Sequence, residues 1–412
     1  MRSSHLIVLA LVAAGPASVA CSGILGIQDP LIDGLPLLDG GPDPRVTLDE
    51  AGNLLEAGAG ETGCMADTMT SADNCGTCGH RCIVGTCTGG RCQPQVILTG
   101  PAIADYAGYV GVSSSHVVWA NKATRGAYSV PKVGGAFQQY FGTTSFTPTS
   151  IDVHEAFFLV SDYDFYGVQR FNVMGGSEDP KVETCATGLG AVADETGSVY
   201  YAHLNDTGPC TGTIFHITKR TRSAGGTYST AWDVPVSSFN AGTSKWMVLD
   251  ANNLYFDSYL QPPSTPTGIY AIPRAGGTPS LVLAGGFLTS PMALDGTTLY
   301  AIEGVFSPNP QVVAIDLGTK IKRVVAATEH GFFEAGGGVR MQIAVDATHV
   351  YWTAALGLDN PSTSGRVLRA LKDGSSMAEE VVVEAEPSLH GMAIDESFVY
   401  WSSATAIKRV AK

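Results

Sequence analysis

The chain has 412 residues, 44% hydrophobic and only 15% charged, with 49 glycines and a formal net charge of −14. That length and apolar share can build one large core or two smaller ones, and so much glycine suits a fold of many tight turns. The acidic balance repels phosphate backbones and no lysine-arginine run offers a local exception, so nucleic acid is disfavoured as a partner.

The N-terminus reads as an export signal. Arg2 precedes the apolar run Leu6 to Ala14, and small residues lead to Ala17-Ser18-Val19-Ala20-Cys21. This is the layout of a secretory signal over 1–20, too short in its apolar part to span a bilayer. Cys21 stands where a bacterial lipoprotein signal places its lipidated cysteine. Ser18, where leucine is usual, equally suits ordinary signal peptidase cleavage, so plain secretion is the alternative. The expectation is a protein of the bacterial cell envelope that meets the membrane only through this anchor.

Residues 21–63 read as a tether. They carry Pro30, Pro36, Pro42 and Pro44, and eight acidic residues against the single basic Arg45. Such a stretch buries too little surface to fold alone and stays extended. A short helix over Leu48 to Ala57 is the one element its pattern allows.

Nine cysteines divide as one, six and two. If Cys21 carries lipid, the other eight can all pair. Cys64, Cys75, Cys78, Cys82, Cys87 and Cys92 crowd into residues 64–93, a segment with almost no apolar core that needs cross-links or metal to hold a shape. Export favours disulfides, although the spacing alone leaves the pairing open. The rival is zinc on Cys75, Cys78, Cys82 and His80. Cys185 and Cys210 form a further candidate pair.

From residue 94 to 412 the sequence repeats itself. The clearest copies are AVDATHVYW at 344–352 and AIDESFVYW at 393–401, followed by VLDANNLYF at 248–256 and ALDGTTLYA at 293–301. Weaker copies begin near 111, 150 and 192. Taking residues 113, 152, 194, 250, 295, 346 and 395 as anchors, the mean spacing is about 47 residues, close to one four-stranded propeller blade. An apolar pair enters each anchor, a polar turn follows, and an aromatic strand leaves. An aspartate suits the turn because its carboxylate bonds backbone N–H groups two residues on; calcium ligation is the rival reading. Small residues two positions before the anchors suit strands crowding an axis. Trp119, Phe158, Phe256, Trp352 and Trp401 would fill the space between blades. The last copy stops after three strands, and Gln95 to Leu98 can supply the fourth. The reading is therefore an all-β, seven-bladed β-propeller, with six or eight blades as alternatives, preceded by a small disulfide-rich segment.

VYWT at 350–353 and VYWS at 399–402 resemble the YWTD repeats of receptor β-propellers, though no copy has the fourth-position aspartate. The chain as a whole resembles a bacterial family of cysteine-rich propeller lipoproteins common in large myxobacterial genomes. The matching features are the signal ending at Cys21, the NCGTCGHRC segment and blades with YW and PKVGG-type turns. That resemblance implies the fold and the envelope location, and brings no activity or cofactor with it.

No GxSxG, HExxH or phosphate-cradling glycine loop is present, so no residue is assigned a catalytic or metal-binding role. Function on a propeller lies in its loops. Ligand-binding candidates are Asp162, Tyr163, Asp164 and Tyr166 in SDYDFYG, with His203 and Asp257 in equivalent connections and His330, Glu334 and His390 between blades. The expected role is a monomeric binding scaffold for an unknown protein, peptide or glycan. A lactonase-type hydrolase with a metal near the axis and a structural envelope protein are the alternatives.

Overall fold

The computed structural model describes residues 67–412 apart from 101–102, 104–106, 122, 143–146, 163–166, 176–181, 183–186, 205–214, 236–245, 259–266, 288–289, 305–306, 308, 328–341 and 356–363, together with one short strand pair before them. The chain divides into two compact units, 1–64 and 65–412. In the first, Thr47–Leu48 pairs antiparallel with Leu54–Leu55. This corrects the expected helix over Leu48 to Ala57: ten residues containing Gly52 and Asn53 are too few for a stable isolated helix, and that dipeptide suits a turn. The export signal, Cys21 and the rest of the tether lie outside the described residues. No described helix is long and apolar enough to cross a membrane.

The second unit is a ring of seven antiparallel sheets. Blade 1 runs through Ala107–Val112, His116–Asn121, Gly126–Pro131 and Gln138–Gly142; blade 2 through Pro148–Val153, Phe157–Asp162 and Gly167–Asn172. Blade 3 comprises Thr187–Ala193, Val199–Leu204, Phe215–Arg222 and Tyr228–Pro235, and blade 4 Met247–Leu249, Asn253–Ser258, Gly268–Pro273 and Ser280–Ala284. Blade 5 comprises Met292–Asp295, Thr298–Glu303, Gln311–Asp316 and Lys322–Ala327, and blade 6 Ile343–Val345, His349–Ala355, Gly365–Leu371 and Glu380–Glu386. Blade 7 takes Gly391–Ile394, Phe398–Ser402 and Ala406–Ala411 from the end of the chain, and its outer strand is Gln95–Thr99, paired antiparallel with Ala406–Ala411. The first strand of the array thus closes the last blade, as its sequence predicts. The inner strand of blade 7 also packs on that of blade 1.

Blades bury their flat faces on one another. Val118, Phe158 and Phe171 fill the space between blades 1 and 2, Leu159, Val199 and Tyr201 that between 2 and 3, and Tyr300, Trp352 and Leu368 that between 5 and 6. Trp119, Trp352 and Trp401 are fully buried. Near the axis space is short: a Cβ on Gly111 would stand 2.3 Å from Val153 Cγ2, so only glycine fits there.

In blades 3, 4, 6 and 7 the hairpin turn is built from one carboxylate. In blade 6 Asp346 Oδ1 accepts the N–H groups of Thr348 and His349, both at 2.8 Å, while Oδ2 accepts the Tyr351 hydroxyl at 3.0 Å. Asp250 and Asp395 repeat the arrangement with Tyr255 and Tyr400. Turn capping is therefore the role of these aspartates. A second role was not legible: the carboxylate also accepts a cation from the following blade. Lys132 meets Asp395 at 2.7 Å, Arg274 meets Asp194 at 2.6 Å, Lys412 meets Asp346 at 2.8 Å, and Lys372 meets Asp295. Each cation sits just after a third strand. Blade 1 has Ser113 as its anchor, and blade 2 has Val173 in the cation's place, where its N–H bonds Ala156 O just as Lys132 N–H bonds Ser115 O. Acid and base are missing together.

Blade 2 requires a correction. Its turn closes from His154 N–H to Phe157 O, as Ser113 closes to His116 and Asp346 to His349. The anchor is His154, and Asp152 lies two residues before it, where a small residue was expected. The carboxylate is accommodated because Oδ2 accepts the Ala193 N–H of blade 3 and meets His154 Nε2, both at 2.8 Å.

The cysteine segment packs against blade 7. Cys75 pairs with Cys87 and Cys82 with Cys92, Cys78 is also disulfide-bonded, and the buried half-cystines join the core of blades 6, 7 and 1. Each of these sulfurs is in a disulfide, which overturns the zinc alternative for Cys75, Cys78 and Cys82. His80 instead bridges backbone: its Nδ1 lies 2.6 Å from Cys75 O and its Nε2 2.6 Å from Lys412 O. Arg91 pairs with Glu384 of blade 6 at 2.8 Å. Cys64, Cys185 and Cys210 lie outside the described residues.

Candidate functional site

Inner strands start, and second strands end, at the same end of the ring. The hairpin and glycine turns occupy the other.

At this end, at or near the start of each inner strand, stands the residue four before each turn anchor. These are Tyr109, Ser150, Gly190, Trp246, Pro291, Gln342 and Gly391. Tyr109 of blade 1 and Trp246 of blade 4 come from blades three apart, yet their rings meet edge to face with centroids 6.0 Å apart. They span the axis. Gln342 of blade 6 joins its neighbours: its Nε2 donates to Val110 O of blade 1 at 3.3 Å, and its Oε1 accepts the Met392 N–H of blade 7. Ser150 Oγ accepts the Ala191 N–H of blade 3 at 3.1 Å. The axial mouth therefore has an aromatic and amide floor. Sequence reading missed these residues because it tracked the position two before each anchor; the signal was present two residues further back, where Tyr109, Trp246 and Gln342 break a run of small residues.

Of the expected ligand-binding residues, Asp162, His203, Asp257 and His390 come to this end, and all four are buried. Asp162 Oδ1 accepts the Thr147 N–H at 2.8 Å and so fixes the entry to blade 2. Asp257 stands opposite Trp246, one step beyond the Met247–Phe256 pair. His390 donates its backbone N–H to Ser402 O. Tyr163, Asp164, Tyr166, His330 and Glu334 lie outside the described residues.

His203 belongs to a polar cluster on blade 3. It pairs across the sheet with His216, and Thr218 pairs with Asp233 of the outer strand. His203 Nε2 lies 2.8 Å from Thr218 Oγ1, which donates to Asp233. His216 Nδ1 lies 2.8 Å from Asp233 Oδ2. Partial burial pushes the Asp233 carboxyl up, but the two imidazoles and the Thr218 hydroxyl outweigh it and hold its pKa down to about 2. Among the described residues, Cys75, Cys82 and Cys92 are the group that brings three His, Cys, Asp or Glu ligand atoms within 4.8 Å of one another, and they are in disulfides.

No family model and no curated protein matches the chain. Solved propellers do. A streptogramin B lyase is 13% identical, covering 77% of this chain and 97% of its own, with a TM-score of 0.55. A virginiamycin B lyase from Staphylococcus aureus is 11% identical over 78% of this chain and 99% of its own, at 0.52. An oligogalacturonate lyase from Vibrio parahaemolyticus is 9% identical over 77% of this chain and 96% of its own, at 0.51. At these identities the likeness is one of fold: the protein is a seven-bladed β-propeller carrying a disulfide-bonded cysteine segment.

Proposed function

We propose that the chain is an exported, lipid-anchored envelope protein whose propeller binds a peptide or glycan at the axial mouth. The observation that carries this reading is the Tyr109–Trp246 pair across the axis, with rings 6.0 Å apart. Aromatic faces bury the apolar faces of sugars and peptide side chains at low entropic cost, and a few fixed polar groups orient the ligand. The Gln342 amide is such a group. The anchor and the acidic tether, read from Cys21 and residues 21–63, would hold that mouth off the membrane.

The test is capture from envelope extract and on a glycan array by the mature chain, beside Trp246→Ala and a control on the turn face, Val133→Ser, which alters an exposed residue. Capture by the parent and the control with loss in Trp246→Ala supports the reading. Equal capture by all three, or turnover of a captured glycan, contradicts it, the latter in favour of an enzyme. Mass spectrometry of the mature N-terminus tests the anchor, and an unmodified Cys21 would end that part of the reading.

A further inference from the structure

We infer that His80 is a proton-controlled latch: as an imidazolium it fastens the cysteine segment to the last strand of blade 7, and on losing its proton it lets go. The axial mouth plays no part in it.

The ring lies between two oxygens. Nδ1 stands 2.6 Å from the main-chain oxygen of Cys75, and Nε2 2.6 Å from that of Lys412. Both partners accept hydrogen bonds and neither can donate one. A neutral imidazole has a single N–H. Either tautomer therefore makes one of the two bonds and turns a nitrogen lone pair on the other oxygen. The ring with both nitrogens protonated makes both bonds, and separations this short suit bonds assisted by charge.

The two oxygens belong to different parts of the structure. Cys75, held in the Cys75–Cys87 disulfide, donates its own N–H to His80 O at 2.8 Å, so ring and loop brace each other. Lys412 is tied to the propeller by its N–H, bonded to Ser397 O at 3.2 Å, and by Nζ, 2.8 Å from Asp346 of blade 6. His80 thus joins the segment to the seam between blades 6 and 7. It stands in the wall of a cleft of about 410 Å3 where the segment meets Val381, Val382, Val410 and Ala411. Opening the latch widens that cleft.

The other charges around the ring are already matched. Arg91, Arg369 and Lys412 line the same cleft, and each has its own carboxylate in Glu384, Glu380 and Asp346. On the segment Arg81 pairs with Asp73. On blade 6, His349 stands beside Asp346, which accepts its N–H. Of the groups lining the cleft, His80 is the one of a type that titrates between about pH 5 and pH 8. The latched form holds a proton that the released form can shed, so acid favours latching and rising pH favours release.

The experiment follows amide hydrogen exchange of residues 75–92 in the mature, disulfide-intact chain from about pH 5 to about pH 8. Rates are corrected for the pH dependence of exchange itself, and the amides of blade 4, which holds no histidine, serve as the internal reference. Protection of the segment should fall roughly tenfold or more as pH rises, the scale on which one charged hydrogen bond shifts an equilibrium, while blade 4 stays protected. His80→Gln should give the same corrected rate across the range. His349→Asn should follow the parent. Nitrogen NMR of the parent should show both His80 ring nitrogens protonated at the acid end. Segment protection that does not change with pH, a pH dependence that survives His80→Gln or disappears in His349→Asn, or a His80 ring with one bare nitrogen at the acid end overturns the assignment.

Discussion

Asp194, Asp346 and Asp395 each serve two structures at once, their own hairpin and the joint with the next blade, whereas Asp250 serves its hairpin. Burial alone pushes these carboxyls up; the turn N–H groups, tyrosine hydroxyls and neighbouring cations outweigh it, so Asp194, Asp250, Asp346 and Asp395 all ionise below the usual carboxylate range. Tyr255, Tyr351 and Tyr400 move the other way. Burial and the Asp250 carboxylate push Tyr255 up to about 12. A group with a depressed folded pKa adds stability that is complete above its unfolded value and is lost as pH falls through the folded one. Unfolding free energy should therefore hold from neutrality down to about pH 5 and drop below about pH 4, where free carboxylates titrate. Asp346→Asn should cost about 1–3 kcal/mol at pH 7, the worth of a charged hydrogen bond, and make the acid limb shallower. Denaturant melts across pH check both. A double-mutant cycle with Lys412→Met then measures the coupling across the joint, because the Lys412 ammonium is the group of the next blade that meets Asp346. Expectations at this scale succeeded where chemistry is local. A carboxylate two residues before a backbone N–H announces a cap. Its pairing with a lysine one blade away does not, since partners such as Asp395 and Lys132 are 263 residues apart.

At the scale of elements, the period of the apolar and aromatic residues made the hairpins legible. Trp352 and Trp401 fell where a strand faces its neighbour, and both are fully buried. Blade 2 shows how the pattern fails. An aspartate in SIDVHEAFF imitates the anchor, yet the turn forms at His154, because Phe157 and Phe158 set the register of the next strand. The axial residues were harder to read for a related reason: position four before the anchor varies from glycine to tryptophan, so its signal is three large residues among small ones and not a repeated type. Trp352→Ala should cost about 3–5 kcal/mol, the usual loss for a large aromatic removed from a core. Trp246→Ala should cost clearly less, because that ring is only partly buried, while abolishing capture. Melting temperatures measured beside the binding assay distinguish the two tryptophans. The cysteine segment has little core of its own, and its half-cystines join that of blades 6, 7 and 1. Reduction should therefore lower the propeller's melting temperature as well as release the segment, and a melt in reducing agent reads that directly.

For the whole molecule, ring closure is the feature on which the other interactions depend. The inter-blade clusters, the cation–carboxylate joints and the aromatic pair over the axis all need seven blades held at fixed angles. An open ring would also leave a bare sheet edge on the last blade, an invitation to aggregate. The chain closes it by pairing Gln95–Thr99 with Ala406–Ala411 and bracing the seam with the Arg409 guanidinium on Gln95 Oε1 at 2.9 Å. The measurement that tests this most directly is thermal unfolding of the chain lacking residues 93–99. Closure predicts a single transition shifted down by many degrees, with more self-association than the parent shows. A melting temperature equal to the parent's, with the monomer intact, would contradict it.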